Sequence, residues 1–144
     1  NDVWMPIWGL GMSYQQESYN AKETLPYPSV CTALDYGYRL FDTASRYETE
    51  NALGLALKQS NIDRNQLFLT SKLWAGYYGQ VNNQYKEQCN RIGVDYLDLY
   101  LIHWPAPWNN IGLSNREARA ETWRQMELLY EKGDCKAIGV SNFL

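Results

Sequence analysis

The sequence predicts an α/β fold built on a parallel sheet. Apolar runs typical of strands alternate with stretches whose apolar residues recur at helical spacing, which is the pattern of βα units. The predicted strands end at residues 42, 72, 103 and about 140, so the steps are close to the roughly 30-residue size of one unit. Polar residues stand at these ends. In a parallel α/β barrel, the carboxyl ends of the strands form the rim that carries the active site.

The first half of the chain alternates two strands with two helices. Residues 7–10 form a weak apolar strand, and residues 29–36 keep their apolar side chains on one helical face before Gly37 ends the helix. An apolar run then predicts a strand over residues 38–43. Alanine and leucine residues at helical spacing predict a helix over residues 48–60.

The second half continues the same alternation. A strand is predicted over residues 67–71, followed by a polar helix over residues 80–92 that a glycine ends. Residues 96–102 form the longest apolar run and predict the fourth strand. A helix over residues 117–131, with aromatic and aliphatic side chains on one face, precedes a last strand over residues 136–140.

A doubly wound fold for a dinucleotide is the competing α/β architecture. It would place Gly-x-Gly-x-x-Gly after the first strand, but here Gly9 and Gly11 are followed by Met12, Ser13 and Tyr14. Because the third glycine is missing, we interpret the two glycines as a turn at the strand end. The barrel accounts better for the polar residues at successive strand ends.

The composition and the charge of the chain argue against several classes of function. The net charge of −3 and the lack of a lysine or arginine cluster argue against binding to nucleic acid or to an anionic membrane. No apolar stretch approaches the ~18 residues of a membrane span, and the first residues lack the cationic start of a signal peptide. Cys31, Cys89 and Cys135 are far apart with no Cys-x-x-Cys, which predicts reduced thiols in a cytoplasmic protein. With a single histidine, no metal site is predicted.

Four polar residues form the candidate catalytic set. Asp42, Lys72 and His103 each end an apolar run, and Tyr47 follows shortly after Asp42. Singly, each has an ordinary explanation: a turn residue for the aspartate, a core or surface position for the tyrosine and the histidine, and a solvated side chain for the lysine. The hypothesis of a site depends on their joint placement at successive strand ends.

The four side chains suit proton delivery to a carbonyl oxygen. A phenol is a poor acid at neutral pH because its pKa lies near 10, and a nearby ammonium favours the ionised form. Lys72, oriented by Asp42, is expected to act in this way on Tyr47, while His103 donates a hydrogen bond to a substrate oxygen or relays a proton. No Ser or Cys nucleophile with an adjacent base is evident, so a hydride donor is the expected partner.

Four segments resemble the signatures of the aldo-keto reductase family. They are residues 37–54 around Asp42 and Tyr47, residues 69–74 with Lys72, residues 95–105 with His103, and residues 136–143 with Ser141 and Asn142. They occur in family order and span the chain. The resemblance implies a (β/α)8 TIM barrel that reduces small-molecule aldehydes or ketones to alcohols with NADPH, or less often with NADH.

The resemblance also implies roles for individual residues. The match to the catalytic tetrad makes Tyr47 the general acid, tuned by Lys72 and Asp42, with His103 orienting the carbonyl. Trp74 and Trp104 match aromatics near the substrate pocket, with core packing as the alternative for both. The implied cofactor-binding residues are Gly11, Met12, Ser13, Asp42, Ser141 and Asn142, of which the last two match residues that bond the nicotinamide carboxamide.

The chain departs from the family pattern in four places, one of which is a slightly longer stretch between Ser13 and Gly37. Met12 and Ser13 stand where the family often has Thr-Trp, so a pocket aromatic is lost or Tyr14 replaces it. The stretch over residues 105–121 is short, which predicts a small substrate loop. A full barrel needs ~250 residues, so we expect residues 1–144 to be the N-terminal portion of a barrel domain, with about five βα units.

Two other interpretations stay open at the level of the sequence. One is a non-catalytic subunit on the same fold that binds cofactor and regulates a partner. The other is an inactive shortened product, because five strands do not close a barrel and would leave apolar surface and sheet edges exposed.

Overall fold

The fold is described by a computed structural model that covers residues 2–13, 26–109 and 111–143. Strands and helices alternate along these residues, and short 3-10 turns join some of them. In chain order they are β1 (Gly9–Gly11), α1 (Pro26–Asp35), β2 (Leu40–Asp42), α2 (Glu50–Ser60), β3 (Phe68–Leu73), α3 (Val81–Ile92), β4 (Leu97–Ile102), α4 (Asn115–Glu131) and β5 (Cys135–Val140).

The five strands form one parallel sheet in the order β1-β2-β3-β4-β5. Gly11 pairs with Asp42, Asp42 with Thr70, and Thr70 with Leu99, so the register brings the carboxyl ends of the strands to one rim. The predicted parallel α/β fold is confirmed. Sequential strand order is that of a singly wound barrel, whereas the doubly wound alternative reverses its order at a switch point.

Element boundaries differ from the predicted ones at several helix starts. Helix α4 begins at Asn115 rather than at residue 117, because Ser114 and Glu117 form a capping box in which each side chain binds the other residue's backbone N–H. Helix α2 begins at Glu50 rather than at residue 48, because Glu48 has a φ of 60° and ends a 3-10 turn over Ser45–Tyr47. Ile7 is exposed and precedes β1, so the first strand starts later than predicted.

The two faces of the sheet differ in burial. Successive strand residues point to opposite faces, and the face covered by the helices is buried in β3 and β4. On the other face of the sheet, the β4 residues Leu99 and Leu101 are only half-buried. Within the described residues, β1 and β5 each have a single neighbouring strand. The buried, helix-covered face is formed by Phe41, Leu69, Leu73, Tyr100 and Ile102.

Gly54 allows α2 to approach the end of α3. A Cβ at this position would lie 2.4 Å from the carbonyl oxygen of Ile92 and 2.9 Å from that of Arg91. We expect Gly54→Ala to lower the free energy of unfolding by about 1–3 kcal/mol, although alanine favours a helix by about 1 kcal/mol over glycine. Urea unfolding measures this change.

The matched control is Asn90→Ala on the exposed side of α3. Asn90→Ala also replaces a residue with one that favours the helix, but at an exposed position. A slight gain in stability is therefore expected. If Gly54→Ala were as stable as the parent protein, the close approach of the two helices would be refuted.

Candidate active site

Three of the four candidate residues stand on the same rim. Asp42 is the last residue of β2, Lys72 lies near the end of β3, and His103 follows directly after β4. These strands are neighbours in the sheet, and the backbone N–H of His103 donates to the carbonyl oxygen of Leu73 at 3.0 Å. Pairing between adjacent strands therefore places the three side chains side by side.

Lys72 is buried and paired with a carboxylate. Its Nζ donates to Oδ1 of Asp42 and, at 3.0 Å, to the carbonyl oxygen of Thr43. The side chain of Lys72 is 5% exposed and that of Asp42 is 39% exposed. A buried ammonium is costly unless it is paired and hydrogen-bonded, so these two acceptors allow the charge to sit beneath the rim.

Tyr47 is held above this ion pair by the 3-10 turn after β2. Nζ of Lys72 lies 4.8 Å from the centroid of the Tyr47 ring, and the phenol oxygen lies 3.5 Å from Nε2 of His103. The two rings meet edge to face, with centroids 5.4 Å apart. The structure therefore brings all four predicted residues together, with the ammonium over the phenol ring rather than bonded to its hydroxyl.

His103 is buried in a setting that favours its neutral form. Burial, assisted by the positive charge of Lys72 and opposed by Asp42, lowers the pKa of His103 from its usual 6.5 to about 4. Its Nδ1 is buried with no hydrogen-bond partner among the described residues. At neutral pH the imidazole is therefore uncharged, with Nε2 directed at the phenol hydroxyl.

We expect the imidazole of His103 to titrate with a midpoint near pH 4. NMR measures the imidazole shift against pH, and His103→Gln assigns the resonance. Because the folded protein binds this proton less tightly than the unfolded chain, stability is fully present above pH 6.5 and declines as the pH falls towards 4. The decline amounts to about 3 kcal/mol and should disappear in His103→Gln. A midpoint near 6.5 would contradict the burial of this side chain.

Aromatic side chains surround His103. The ring centroid of Trp74 lies 5.3 Å from that of His103, and the ring of Trp104 lies 6.5 Å away in a stacked orientation. Trp104 is 43% exposed and Trp74 is half-buried, so neither is a residue of the buried core. Trp108, which the sequence analysis missed, packs on Trp74 at 4.5 Å. The position of Trp108 shortly after the strand that precedes His103 could have identified it as a residue near the site.

Ser141 and Asn142 follow β5 on the same rim. Nδ2 of Asn142 donates to the carbonyl oxygen of His103 at 2.8 Å and to Oγ of Ser141 at 3.0 Å. The backbone N–H of Ser141 donates to the carbonyl oxygen of Ile102. A hydroxyl and an amide, both at least partly exposed, therefore stand directly beside the histidine.

The residues at the end of β1 and directly after it are placed less uniformly. Gly11 and Ser13 are exposed at the rim, whereas the side chain of Met12 is completely buried in the hydrophobic core. The backbone N–H of Met12 donates to the carbonyl oxygen of Asp42 at 2.9 Å. Only the backbone of Met12 is thus available at the rim. Tyr14 lies outside the described residues.

A buried polar network lies behind Lys72, and the sequence analysis missed it. Oγ of Ser71 lies 2.9 Å from a carboxylate oxygen of Glu50 and 2.7 Å from Oε1 of Gln88. Arg91 pairs with Glu50 at 2.5 Å, and Nε2 of Gln88 donates to the carbonyl oxygen of Lys72 at 3.2 Å. This network ties α2 and α3 to the strand that carries the lysine.

Two searches of the described residues were negative. No group of three or more histidine, cysteine, aspartate or glutamate side chains could hold a metal ion in the ranges that the structure covers. Within the same ranges, no helix is long and apolar enough to cross a membrane.

Comparison with known proteins supports the resemblance. A family model described as "Aldo/keto reductase family" matches residues 7–144. An oxidoreductase of Caenorhabditis elegans is 41% identical over 99% of this chain and 43% of its own length. Glyoxal reductase of Bacillus subtilis is 39% identical over 99% of this chain and 48% of its own length. The chain thus spans about half the length of the curated relatives it matches.

Solved structures share the fold. The crystal structure of a Bombyx mori aldo-keto reductase in complex with NADP superposes with a TM-score of 0.82 at 32% identity. The match covers 96% of this chain and 47% of the other chain. An aldo-keto reductase from a deep-sea metagenome is 40% identical, with a TM-score of 0.79 over 97% of this chain and 47% of its own.

Proposed function

The chain belongs to the aldo/keto reductase family, and we propose that residues 1–144 form the N-terminal part of a (β/α)8 barrel domain that reduces aldehydes or ketones to alcohols. The assignment to the N-terminal part of a barrel is supported by two curated relatives, of whose own length the chain covers 43% and 48%. The second is supported by the site itself and by relatives that include a glyoxal reductase and a methylglyoxal reductase.

One observation carries the proposed chemistry: the phenol oxygen of Tyr47 lies 3.5 Å from Nε2 of His103, over a buried and paired lysine. A carbonyl oxygen bound between the phenol and the imidazole accepts the phenol proton as it becomes an alcohol. The ammonium of Lys72 stabilises the negative charge that remains on Tyr47. Neutral His103 donates a hydrogen bond that orients the carbonyl.

The rim residues fit a nicotinamide cofactor. A carboxamide needs both a donor and an acceptor, and the Ser141 hydroxyl and the Asn142 amide offer both beside the site. When bound, a reduced nicotinamide supplies the hydride that becomes the new C–H bond. We propose NADPH, with NADH as the alternative, because structural relatives are complexes with NADP or NADPH. Gly11, Ser13, Asp42 and the backbone of Met12 complete the proposed cofactor contacts.

The location and the substrate pocket are part of the same proposal. Cys31, Cys89 and Cys135 are all free thiols, which supports a cytoplasmic protein. Trp74 and Trp104, beside His103, are the proposed walls of the substrate pocket.

The test is a reductase assay on the full-length protein with NADPH and para-nitrobenzaldehyde. The proposal expects one alcohol formed for each NADPH oxidised. NADPH binding without turnover would instead favour the non-catalytic subunit. Absence of both binding and turnover would favour the inactive product.

A further inference from the structure

Arg46 stands at the edge of the proposed active site. It immediately precedes Tyr47, and its guanidinium carbon lies 5.5 Å from the centroid of the Trp74 ring. The Trp74 ring meets His103 edge to face at 5.3 Å. Arg46 is exposed to solvent. Its guanidinium contacts the Trp74 ring, and that ring in turn contacts the imidazole proposed to orient the carbonyl.

Arg46 is a cation without an ion-pair partner among the described residues. Asp42 and Lys72 neutralise each other, and His103 is uncharged at neutral pH. Among the residues that the structure describes, no carboxylate forms an ion pair with Arg46, whose guanidinium contacts the Trp74 ring. The guanidinium of Arg46 is therefore available to an anionic group of a ligand.

The adjoining cavity also contains acidic side chains. It has a volume of about 470 Å³, and Arg46, Glu48, Glu50 and Glu87 are among its lining residues. Arg91 pairs with Glu50 at 2.5 Å and with Glu87 at 3.8 Å. Among the described residues, none of these three carboxylates forms an ion pair with Arg46, so its guanidinium keeps its hydrogen-bond donors for a ligand.

We propose that Arg46 recognises a carboxylate on the substrate, so that the preferred substrates are aldehydes or ketones that carry a carboxylate group a short distance from the carbonyl. This inference rests on the proposed reductase function. The planar guanidinium donates two parallel hydrogen bonds to a carboxylate. Its contact with Trp74 restricts its orientation and thereby lowers the entropy lost on binding.

The experiment compares two aldehydes of similar shape in the full-length protein: para-carboxybenzaldehyde and the neutral methyl para-formylbenzoate. The parent protein should show a higher kcat/KM for the acid than for the ester. Because the interaction is partly exposed, we expect a preference of about tenfold. High salt should reduce it, since exposed charges are screened.

Three variants locate the effect. Arg46→Met keeps an apolar stem against Trp74 and should abolish the preference while the ester is reduced at the parent rate. Arg46→Lys retains the charge and should keep part of the preference. Arg116→Met removes a distant exposed arginine at the start of α4 and should leave the preference unchanged.

Each outcome decides the matter. Equal kcat/KM values for acid and ester in the parent would overturn the inference while leaving the reductase function intact. An equal fall for both substrates in Arg46→Met would also overturn it, because that result indicates a structural role. If neither aldehyde is reduced, the proposed function fails and the inference fails with it.

Discussion

Tyr47→Phe is expected to lower kcat/KM for carbonyl reduction at least a hundredfold, while NADPH binding stays within threefold of the parent value. The phenol hydroxyl is the proposed proton donor, and a positioned general acid typically contributes 10²–10⁴-fold. The ring remains in Tyr47→Phe, so its contacts with Lys72 and His103 are preserved. Steady-state kinetics on the full-length protein give kcat/KM, and quenching of NADPH fluorescence gives the affinity.

The control for this change is Tyr130→Phe, which removes a hydroxyl from a half-exposed tyrosine on α4 far along the chain from the site. It should behave like the parent protein. Turnover of Tyr47→Phe within a few-fold of the parent would show that another group delivers the proton. A similar loss in Tyr130→Phe would show that the assay reports folding rather than chemistry.

Asp98→Ala should cause the largest loss of stability of any change discussed for this chain, about 3 kcal/mol in the free energy of unfolding. Asp98 is 2% exposed, and its carboxylate receives Arg64 at 2.6 Å and Lys136 at 2.8 Å. It also accepts the backbone N–H of Leu69 at 2.9 Å. Alanine leaves that buried N–H without its carboxylate acceptor. The guanidinium of Arg64 keeps two backbone carbonyl acceptors but loses its counter-charge. Urea unfolding measures the loss.

Two further variants test the reason for this effect. Asp98→Asn keeps an oxygen for Leu69 but removes the charge, so its loss should be smaller than that of Asp98→Ala. Asp95→Ala removes an exposed aspartate just before β4, and its effect should lie within 0.5 kcal/mol. Equal stability of Asp98→Ala and Asp95→Ala would mean that the buried carboxylate contributes nothing.

The placement of the candidate site could be predicted because it follows from strand periodicity. Asp42, Lys72 and His103 end apolar runs, and parallel pairing of neighbouring strands necessarily brings such ends to one rim. The alternation of strands and helices likewise required only local patterns. These features depend on residues that are close in sequence, so their patterns can be recognised in a single sequence.

Contacts between distant residues could not be predicted in the same way. The network of Ser71, Glu50 and Gln88 joins three elements, and nothing local distinguishes Glu50 from an ordinary acidic residue at a helix start. The burial of Met12 depends on how the helices cover the sheet. The position of Arg46 over Trp74 depends on a 3-10 turn whose sequence has no periodicity.

The proposed acid–base residues all come from β2, β3, β4 and the segments directly after them, and these strands pair with one another without any intervening strand. Their geometry is therefore inherited as one contiguous block of the chain, from Asp42 to His103. A recombination event that joined this block to different later strands would carry the proposed proton-transfer residues with it. Selection would then be free to diversify the rest of the barrel independently.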